Sequence, residues 1–513
     1  MIFVLHAWDL SVRGALLDTS HAFLNGSAVF PEWVGHAQES CQLRIDPVPL
    51  PGQAPWVVHT SMPRLQPPSG ASRDLPLFRL EDYAELIDHP IEMGEAGQYA
   101  VLQFSAAGIP HQMVLRGAVD FDPVRLQCDL EKICATVQGI FGSSSPFDHY
   151  TFLVTLTGDG YGGLEHRNST ALLASRDDLP AVDLGLSTPA GDGYALFLAL
   201  CAHEYFHAWL VKRICDQTLV SSTLQAEAYT PLLWFFEGFT SYYDTLILAR
   251  SGVISQDHYL RLLEKSLRLV SSIPAQHHQS VSESSRDAWI KFYRPDDNTP
   301  NSVVSYYTKG SLITLGLDLQ LRAQGLSADG WLQGLWVRFG LPRIPVTEES
   351  LFADLAAYAG NPTAAWLKAQ VQARTALDLS APLATVGVIF KPDTQPSPRT
   401  REQWGFRFKE EGGGVRISHI IQGTAFADSG LASGDFLIAI DGFRVIPGNL
   451  ETRLQRIAVN KSVKVHAFRD DRLMTVDLAW RNPDARLTWP SLSFDNNPTF
   501  QQFSQRGKWL GVP

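Results

Sequence analysis

The stretch LALCAHEYFHAWLVKR, between Leu198 and Arg213, places two histidines and a glutamate in an otherwise apolar, helix-forming segment. Burial of ionisable groups is costly unless something pairs or coordinates them. His203, Glu204 and His207 read H-E-x-x-H, and residues at i and i+4 lie on one face of a helix. This spacing predicts that both imidazoles bind one tetrahedral Zn²⁺, with Glu204 beside the metal rather than on it. A lone buried histidine is more often a hydrogen-bonded core residue than a metal ligand. A third ligand is therefore needed to distinguish a metal site from a pair of core histidines.

A candidate third ligand lies in the later helical segment LWFFEGFTSYYD, where Glu237 is surrounded by aromatic residues. Taken alone, Glu237 fits a core salt bridge to an arginine as well as a metal site. The upstream H-E-x-x-H favours the metal. Two histidines and one glutamate leave a fourth position open for water, which is typical of catalytic zinc. The sequence thus predicts one Zn²⁺ per chain, held by His203, His207 and Glu237, with Glu204 as the general base.

Asp244 follows Glu237 by seven residues, two turns along the same helix face. Two interpretations stay open for it. The carboxylate orients a zinc-binding histidine through a hydrogen bond, or it is a solvated acid near the end of the helix.

Composition limits the classes of partner and compartment. The formal net charge of −11 argues against a nucleic acid or an anionic membrane as partner. No apolar run reaches the length of a membrane span, and the five cysteines show no C-x-x-C spacing, which disfavours a disulfide framework and a cysteine zinc site. The start, MIFVLHAWDLSVRG, lacks the basic region of a signal peptide, so a cytoplasmic location is expected.

The pattern along the chain changes three times. Residues 1–145 contain short apolar runs separated by Pro and Gly clusters, which indicates β structure. From Gly193 to about residue 378 the pattern is helical, and one helix is expected to begin with Thr230 as its N-cap and to end at Arg250. Strand patterns return from residue 379, and residues 486–513 are expected to be a loosely attached tail.

HEYFHAW followed by LWFFEGFTSYYD resembles the glycyl aminopeptidase family of PDZ-containing zinc metallopeptidases, which are gluzincins related to the aminopeptidase N superfamily. AWDLSVRGALLD, FLNGS, YGGLEHRNST, DAWIKFYR, SYYTKG and a closing WLG extend the resemblance over most of the chain. It implies a multidomain α+β fold. The expected parts are a β-rich N-terminal domain at 1–145, a thermolysin-like, mostly helical catalytic domain with a helical extension at 146–378, a PDZ domain at 379–485 and the tail. Family members usually carry more β structure before FVLHAWDLSVRG. Two explanations stay open: the start methionine is misassigned and the N-terminal domain is truncated, or the N-terminal sheet is short.

The resemblance also implies roles for residues outside the zinc motifs. Glu165, the fourth residue of the GGLEH motif, would bind the free α-amino group of the substrate. Gly162 and Gly163 would let the substrate backbone pair along the strand edge. Tyr307, in YYTKG, would donate a hydrogen bond to the oxyanion of the tetrahedral intermediate. Taken alone, a strand glutamate is usually solvated and a buried tyrosine is usually a packed core residue.

The segment GVRISHIIQGTAFADSGLASGDFLIAIDGFRV resembles a PDZ domain, with NLETRLQRIAV as its groove helix. Such a domain binds the C-terminus of a peptide by strand addition. The expected carboxylate loop, QWGF at residues 403–406, has fewer glycines than usual. A purely structural module is therefore the alternative.

Together these features predict a zinc aminopeptidase that acts on peptides with a free N-terminus. The resemblance implies a preference for small N-terminal residues, Gly or Ala. Two alternatives stay open: a zinc endopeptidase that uses the same site, and a catalytically inactive protein that binds peptides through its PDZ domain. The presence of both Glu204 and Tyr307 favours an active enzyme.

Overall fold

The computed structural model of the chain describes residues 2–47, 51–52, 54–65, 75–117, 120–142, 144–182, 185, 188–392, 401–459 and 461–511. They form two compact units. The first consists of Met1–Cys215, Tyr243–Ser255 and Leu332–Pro345, and the second of Asp216–Tyr242, Gln256–Trp331 and Val346–Pro513.

The first unit combines β-sheets with two long helices. Its elements are β1 (Ala15–Leu17), β2 (His21–Leu24), α1 (Gly26–Val29), β3 (Cys41–Arg44), β4 (Trp56–His59), β5 (Leu77–Leu80), α2 (Tyr83–Ile87), β6 (Ile91–Glu95), β7 (Tyr99–Ala106), β8 (Ile109–Arg116), α3 (Pro123–Phe141), β9 (Tyr150–Thr157), β10 (Tyr161–Glu165), β11 (Ser169–Ser175) and α4 (Asp192–Phe206). β1, β2, β6 and β4 form an antiparallel sheet in that order, and β3 pairs with β5. The β-rich start of the chain is confirmed.

A five-stranded sheet has the order β10-β11-β9-β8-β7. β8 and β9 are parallel, with His111 opposite Tyr150, and β9 and β11 are also parallel. β7 and β8 therefore belong to the sheet against which α4 packs. The expected domain boundary at residue 145 lies inside this sheet and is corrected: the strands on both sides of it share one hydrogen-bonded ladder.

The connection from β8 to β9 is the helix α3, because parallel neighbours need a long crossover. Asp122 caps this helix by accepting a hydrogen bond from the Arg125 N–H at 2.9 Å, and Pro123 occupies the first turn. Gly142 ends the helix with a φ of 89°. All three signals are present in the sequence, but the β-rich pattern around them conceals the helix.

The second unit is mostly helical up to residue 384. Its elements in that part are α5 (Gln217–Ser221), α6 (Leu233–Arg250), α7 (Gln256–Ser271), α8 (Val281–Arg286), α9 (Thr299–Ser302), α10 (Tyr306–Ala323), α11 (Ala328–Leu335), α12 (Glu348–Ala359), α13 (Asn361–Gln372) and α14 (Ser380–Ala384). α6 is one continuous helix whose last turns, from Tyr243, belong to the first unit, and the last residues of α11, from Leu332, belong to it as well. It begins at Leu233, three residues after the expected N-cap Thr230, and it ends at Arg250 as expected.

Two glycines allow α6 and α10 to cross closely. A Cβ atom added at Gly238 would lie 2.7 Å from the Cα of Gly310, and one added at Gly310 would lie 2.9 Å from the Cα of Gly238. Since Glu237 precedes one glycine and Tyr307 lies in the turn before the other, this crossing brings both functional candidates to the same region of the second unit.

The C-terminal part of the second unit contains β12 (Val388–Lys391), α15 (Arg401–Trp404), β13 (Phe406–Glu411), β14 (Gly414–Ile420), α16 (Ala425–Asp428), β15 (Phe436–Ile440), β16 (Phe443–Arg444), α17 (Pro447–Gln455), β17 (Ser462–Arg469), β18 (Arg472–Ala479), β19 (Ser491–Phe494) and α18 (Phe500–Leu510). A sheet runs in the order β13-β14-β15-β17-β18, with β16 paired to β15. Its own buried core includes Trp404, Phe406 and Phe426. The sheet folds around a core of its own, so the strand patterns after residue 379 are confirmed.

The expected loose tail at 486–513 is a second correction. β19 pairs with β12, and α18 has a capping box formed by Thr499 and Gln502. Trp509 is fully buried and donates a hydrogen bond from Nε1 to Tyr242 Oη at 3.0 Å. Leu487, Trp489 and Leu510 are buried as well. A few apolar residues therefore anchor a segment whose composition is otherwise polar.

Among the helices that the structure describes, none has both the length and the apolar content needed to cross a membrane. Cys41, Cys128, Cys134, Cys201 and Cys215 carry free thiols. The cytoplasmic location stays a prediction from the sequence.

Candidate metal centre

The H-E-x-x-H motif occupies the C-terminal end of α4. The helix ends at Phe206, and His207 is its C-cap with helical backbone angles. The His207 N–H donates to the His203 carbonyl at 3.3 Å, so the helical path continues through both histidines. Their ring centroids are 4.7 Å apart. The helix therefore presents the two imidazoles side by side, as the spacing predicted.

Hydrogen-bonding contacts at Nδ1 set the orientation of both rings. His203 Nδ1 lies 3.3 Å from Asp244 Oδ2, and His207 Nδ1 lies 2.9 Å from the carbonyl oxygen of Leu210. A histidine that donates from Nδ1 presents the Nε2 lone pair to a metal. Burial raises the pKa of Asp244, although its contact with His203 favours the charged form. Of the two interpretations of Asp244, the geometry supports the one in which it orients a histidine.

Glu237, on α6, completes a group of possible ligands. One ligand atom from each of His203, His207 and Glu237 lies within 4.8 Å of the others. Because α6 is continuous, the same helix carries Glu237 and, two turns later, the Asp244 that contacts His203. Two imidazole nitrogens and one carboxylate oxygen are a donor set that suits zinc. The structure thus brings together the three residues that the sequence singled out.

The turn after α4 holds the carbonyl that contacts His207. Val211 has a φ of 102°, a conformation that is costly for a β-branched residue. The Lys212 N–H donates to the His207 carbonyl at 3.1 Å, and Lys212 Nζ donates to Asp88 Oδ1 at 2.8 Å. These contacts fix the turn and, with it, the Leu210 carbonyl. Sequence analysis did not identify this turn, because a positive φ at a valine has no sequence signal.

Asp88 joins that turn to the end of β10. Besides Lys212, it contacts His166 Nδ1 at 3.3 Å and accepts a hydrogen bond from the Arg167 N–H at 3.0 Å. Burial alone would raise the pKa of Asp88, but Lys212 and His166 hold it well below its usual range. His166 directly follows Glu165, so a buried charged carboxylate supports the strand end that carries Glu165.

Glu204, the middle residue of the motif, is buried and lies against β10. A Cβ atom added at Gly163 would fall 2.1 Å from Glu204 Oε1. At Gly162, an added Cβ would meet no heavy atom of the described residues within 4 Å. A side chain at Gly163 would therefore clash with Glu204, whereas one at Gly162 would not, because only Gly163 leaves the space that the Glu204 carboxylate fills.

Glu165 ends β10, opposite Thr170 of β11. β10 is the outermost strand of its sheet, and in the described part of the chain no strand pairs with its other side. The Glu165 side chain is half-buried. The strand thus offers an open edge that ends in a carboxylate, as a substrate-binding role requires.

Tyr307 lies in an aromatic group at the start of α10. Its ring stacks on that of Tyr306 with centroids 4.8 Å apart. Burial raises the pKa of Tyr307 well above its usual value, and the negative charge of the nearby Glu237 raises it further. The phenol therefore keeps its proton. Tyr306 donates to Tyr293 Oη at 3.4 Å. Tyr293, from the DAWIKFYR segment, was not singled out by the sequence analysis as a site residue.

A pair of histidines on one helix with a glutamate from a later helix defines a metallopeptidase type of site. The family model for the M61 glycyl aminopeptidase matches residues 196–313, and that for the Peptidase M61 N-terminal domain matches residues 2–95. The crystal structure of an aminopeptidase N family protein from Idiomarina loihiensis has 36% sequence identity and a TM-score of 0.90, over 99% of this chain and 85% of that chain. The chain belongs to the M61 glycyl aminopeptidase family, and it is a peptidase.

More distant similarities were found as well. The M1 zinc metallopeptidase from Deinococcus radiodurans is 14% identical, with a TM-score of 0.48, over 73% of this chain and 75% of that chain. Native yeast LTA4 hydrolase is 15% identical, with a TM-score of 0.43, over 74% of this chain and 52% of that chain. Comparison with curated proteins gives no match.

Proposed function

We propose that this peptidase is a zinc-dependent aminopeptidase that removes small N-terminal residues, Gly or Ala, from peptides with a free N-terminus. The observation that carries the proposal is the convergence of ligand atoms from His203, His207 and Glu237 within 4.8 Å of one another. Membership in a glycyl aminopeptidase family supports the preference for small residues.

The donor set fits one zinc ion. His203 and His207 each have Nδ1 engaged, by Asp244 and by the Leu210 carbonyl, so each presents Nε2. Glu237 supplies a carboxylate oxygen. When bound, zinc supplies Lewis acidity that activates water and polarises a carbonyl group.

The remaining roles fall to residues around this site. Glu204 accepts a proton from the attacking water and passes it to the leaving amine. Tyr307, whose phenol keeps its proton, donates a hydrogen bond to the oxyanion. Glu165 pairs with the charged α-amino group of the substrate, whose backbone follows the open edge of β10. A binding group for the amine favours an aminopeptidase over an endopeptidase.

Zinc binding is tested directly by elemental analysis. The unmodified protein is expected to hold one zinc per chain, and His203→Ala is expected to lose it together with hydrolysis of alanyl p-nitroanilide, because removing one of three ligands leaves too few donors. The control is His36→Ala, which removes an exposed histidine and should leave zinc and activity unchanged. Stoichiometric zinc in active His203→Ala protein would show that the site is elsewhere.

The contact between Gly163 and Glu204 gives a second test. Gly163→Ala is expected to lower kcat by roughly 10²-fold, because its methyl group displaces the carboxylate that must face the reacting water. Gly158→Ala, in the turn before β10, is the control and should change kcat by less than about threefold, since the added methyl group has space and lies outside the strand edge. Steady-state hydrolysis of alanyl p-nitroanilide measures both. Equal activities of the two variants would contradict the proposed position of Glu204.

The C-terminal sheet is proposed to be a PDZ-like module that binds the C-terminus of a peptide. β13 is an edge strand of this sheet. The expected carboxylate loop, residues 403–406, connects the end of α15 to the start of β13, and its Gly405 has a φ of 88°. A fluorescent peptide with an apolar free C-terminus should bind, and its C-terminal amide should not, because the loop N–H groups recognise a carboxylate. Equal binding of both peptides would contradict recognition of the carboxylate. Binding of neither peptide would favour a purely structural role for the module.

A further inference from the structure

Half-exposed aromatic rings lie beside the tyrosines of the candidate site. Residues Ala288–Phe292 form a π-helical turn, in which the Tyr293 N–H donates to the Ala288 carbonyl at 2.9 Å. Short π-helical turns occur frequently at functional sites. Here the turn leaves Trp289 45% exposed and Tyr293 47% exposed. We call these two residues the aromatic ledge.

The rings of the ledge are held in place. Their centroids are 5.7 Å apart, and Trp289 Nε1 donates to the Ala228 carbonyl at 3.2 Å. Lys291, on the same turn, is paired with Asp287 at 2.7 Å. The ledge therefore presents fixed apolar faces to solvent, whereas a single exposed aromatic residue would need no explanation.

The ledge is continuous with the proposed oxyanion donor. Tyr293 Oη lies 3.4 Å from Tyr306 Oη, and the Tyr306 ring stacks on Tyr307. Phe292 backs both tyrosines, with centroid distances of 4.6 Å to Tyr306 and 5.7 Å to Tyr307. Tyr306 is fully buried, whereas Tyr307 and Phe292 are partly exposed and Phe292 also contacts the exposed Tyr293, with ring centroids 5.8 Å apart. The accessible aromatic surface therefore runs from the proposed oxyanion donor through Phe292 to Tyr293.

We propose that Trp289 and Tyr293 form a subsite for an apolar, preferably aromatic, side chain at the second position of the peptide substrate. This inference rests on the proposed aminopeptidase function. An aminopeptidase substrate continues in only one direction from the scissile bond, towards its C-terminus. A surface that leads from the oxyanion donor to solvent is therefore available to the leaving peptide, and apolar faces select an apolar residue.

The test compares kcat/KM for two dipeptide amides, Ala-Phe and Ala-Gly. The unmodified enzyme should prefer Ala-Phe by at least about tenfold, from area burial and ring packing together. Trp289→Ala should lower this ratio to below about threefold by slowing only the Ala-Phe substrate, and Trp289→Phe should restore most of it. Ile290→Ala, at a 55% exposed neighbour on the same turn, should leave the ratio unchanged.

Tyr307→Phe separates this specificity from catalysis. It should lower kcat by about 10²- to 10³-fold on both substrates, without changing their ratio, because it removes an oxyanion donor. A second outcome would overturn the subsite but not the proposed aminopeptidase function. In that outcome kcat/KM is nearly equal for the two amides, and neither Trp289→Ala nor Trp289→Phe changes their ratio. Failure of the zinc-loaded, unmodified enzyme to cleave either amide would overturn the proposed function and the subsite with it.

Discussion

Glu204→Gln is expected to keep zinc bound and to lower kcat by about 10²- to 10⁴-fold, the usual contribution of a general acid–base group. The amide has nearly the shape of the carboxylate, so it fits the space that Gly163 leaves. It cannot accept the proton of the attacking water at neutral pH. Since Glu204 lies between His203 and His207 in sequence but is not part of the converging ligand set, metal binding should persist.

The measurement combines elemental analysis with steady-state kinetics on alanyl p-nitroanilide. KM should change little, because the role of Glu204 lies in the transition state. A Glu204→Gln protein that binds zinc and keeps more than a tenth of the unmodified kcat would show that another group is the base.

The three candidate ligands were accessible from the sequence because spacing and environment pointed to the same residues. The i, i+4 histidines share a helix face whatever the surrounding fold. Glu237 stood out as a carboxylate among buried aromatic residues. The sequence could not decide the role of Asp244, since a two-turn separation places it on the right face but does not show what lies opposite; the structure places it 3.3 Å from His203 Nδ1.

Other parts of the site depend on contacts between distant segments. The Leu210 carbonyl that orients His207 is a backbone group in a turn, and Asp88 reaches Lys212 across more than a hundred residues. The difference between Gly162 and Gly163 arises only when β10 packs against α4. No local pattern encodes such contacts.

The same limit explains the two corrections to the fold. The boundary at residue 145 followed a change in composition, but the parallel pairing of β8 with β9 is non-local and joins the strands on either side of it. The supposed tail is short and largely polar, and its attachment depends on a few buried residues, among them Trp489, Trp509 and Leu510. Composition reports average burial and does not detect a few anchoring residues.

The second large effect concerns Glu165 and the free amine. N-acetylation removes the charge of the substrate amine and leaves the half-buried carboxylate without its partner, which weakens binding beyond the lost contact. The unmodified enzyme should therefore cleave N-acetyl-alanyl p-nitroanilide at least ~10³-fold more slowly than alanyl p-nitroanilide. Glu165→Gln should lose most of this discrimination by slowing the free-amine substrate, because the amide lacks the charge that pairs with the ammonium group.

Asp159→Asn is the matched control for that experiment. Asp159 is an exposed acid just before β10, so its replacement changes the charge near the strand without touching the strand end. It should keep the full preference for the free amine. Loss of the preference in Asp159→Asn as well would indicate a general electrostatic effect instead of a specific contact with Glu165.

The proposed action of this peptidase on free N-termini is tested by the kcat/KM ratio of alanyl p-nitroanilide to its N-acetyl form, measured on the zinc-loaded, unmodified enzyme. A ratio of at least ~10³ in favour of the free amine is expected. Equal rates on the two substrates would contradict the aminopeptidase function, even with zinc bound at His203, His207 and Glu237, and would point to an endopeptidase.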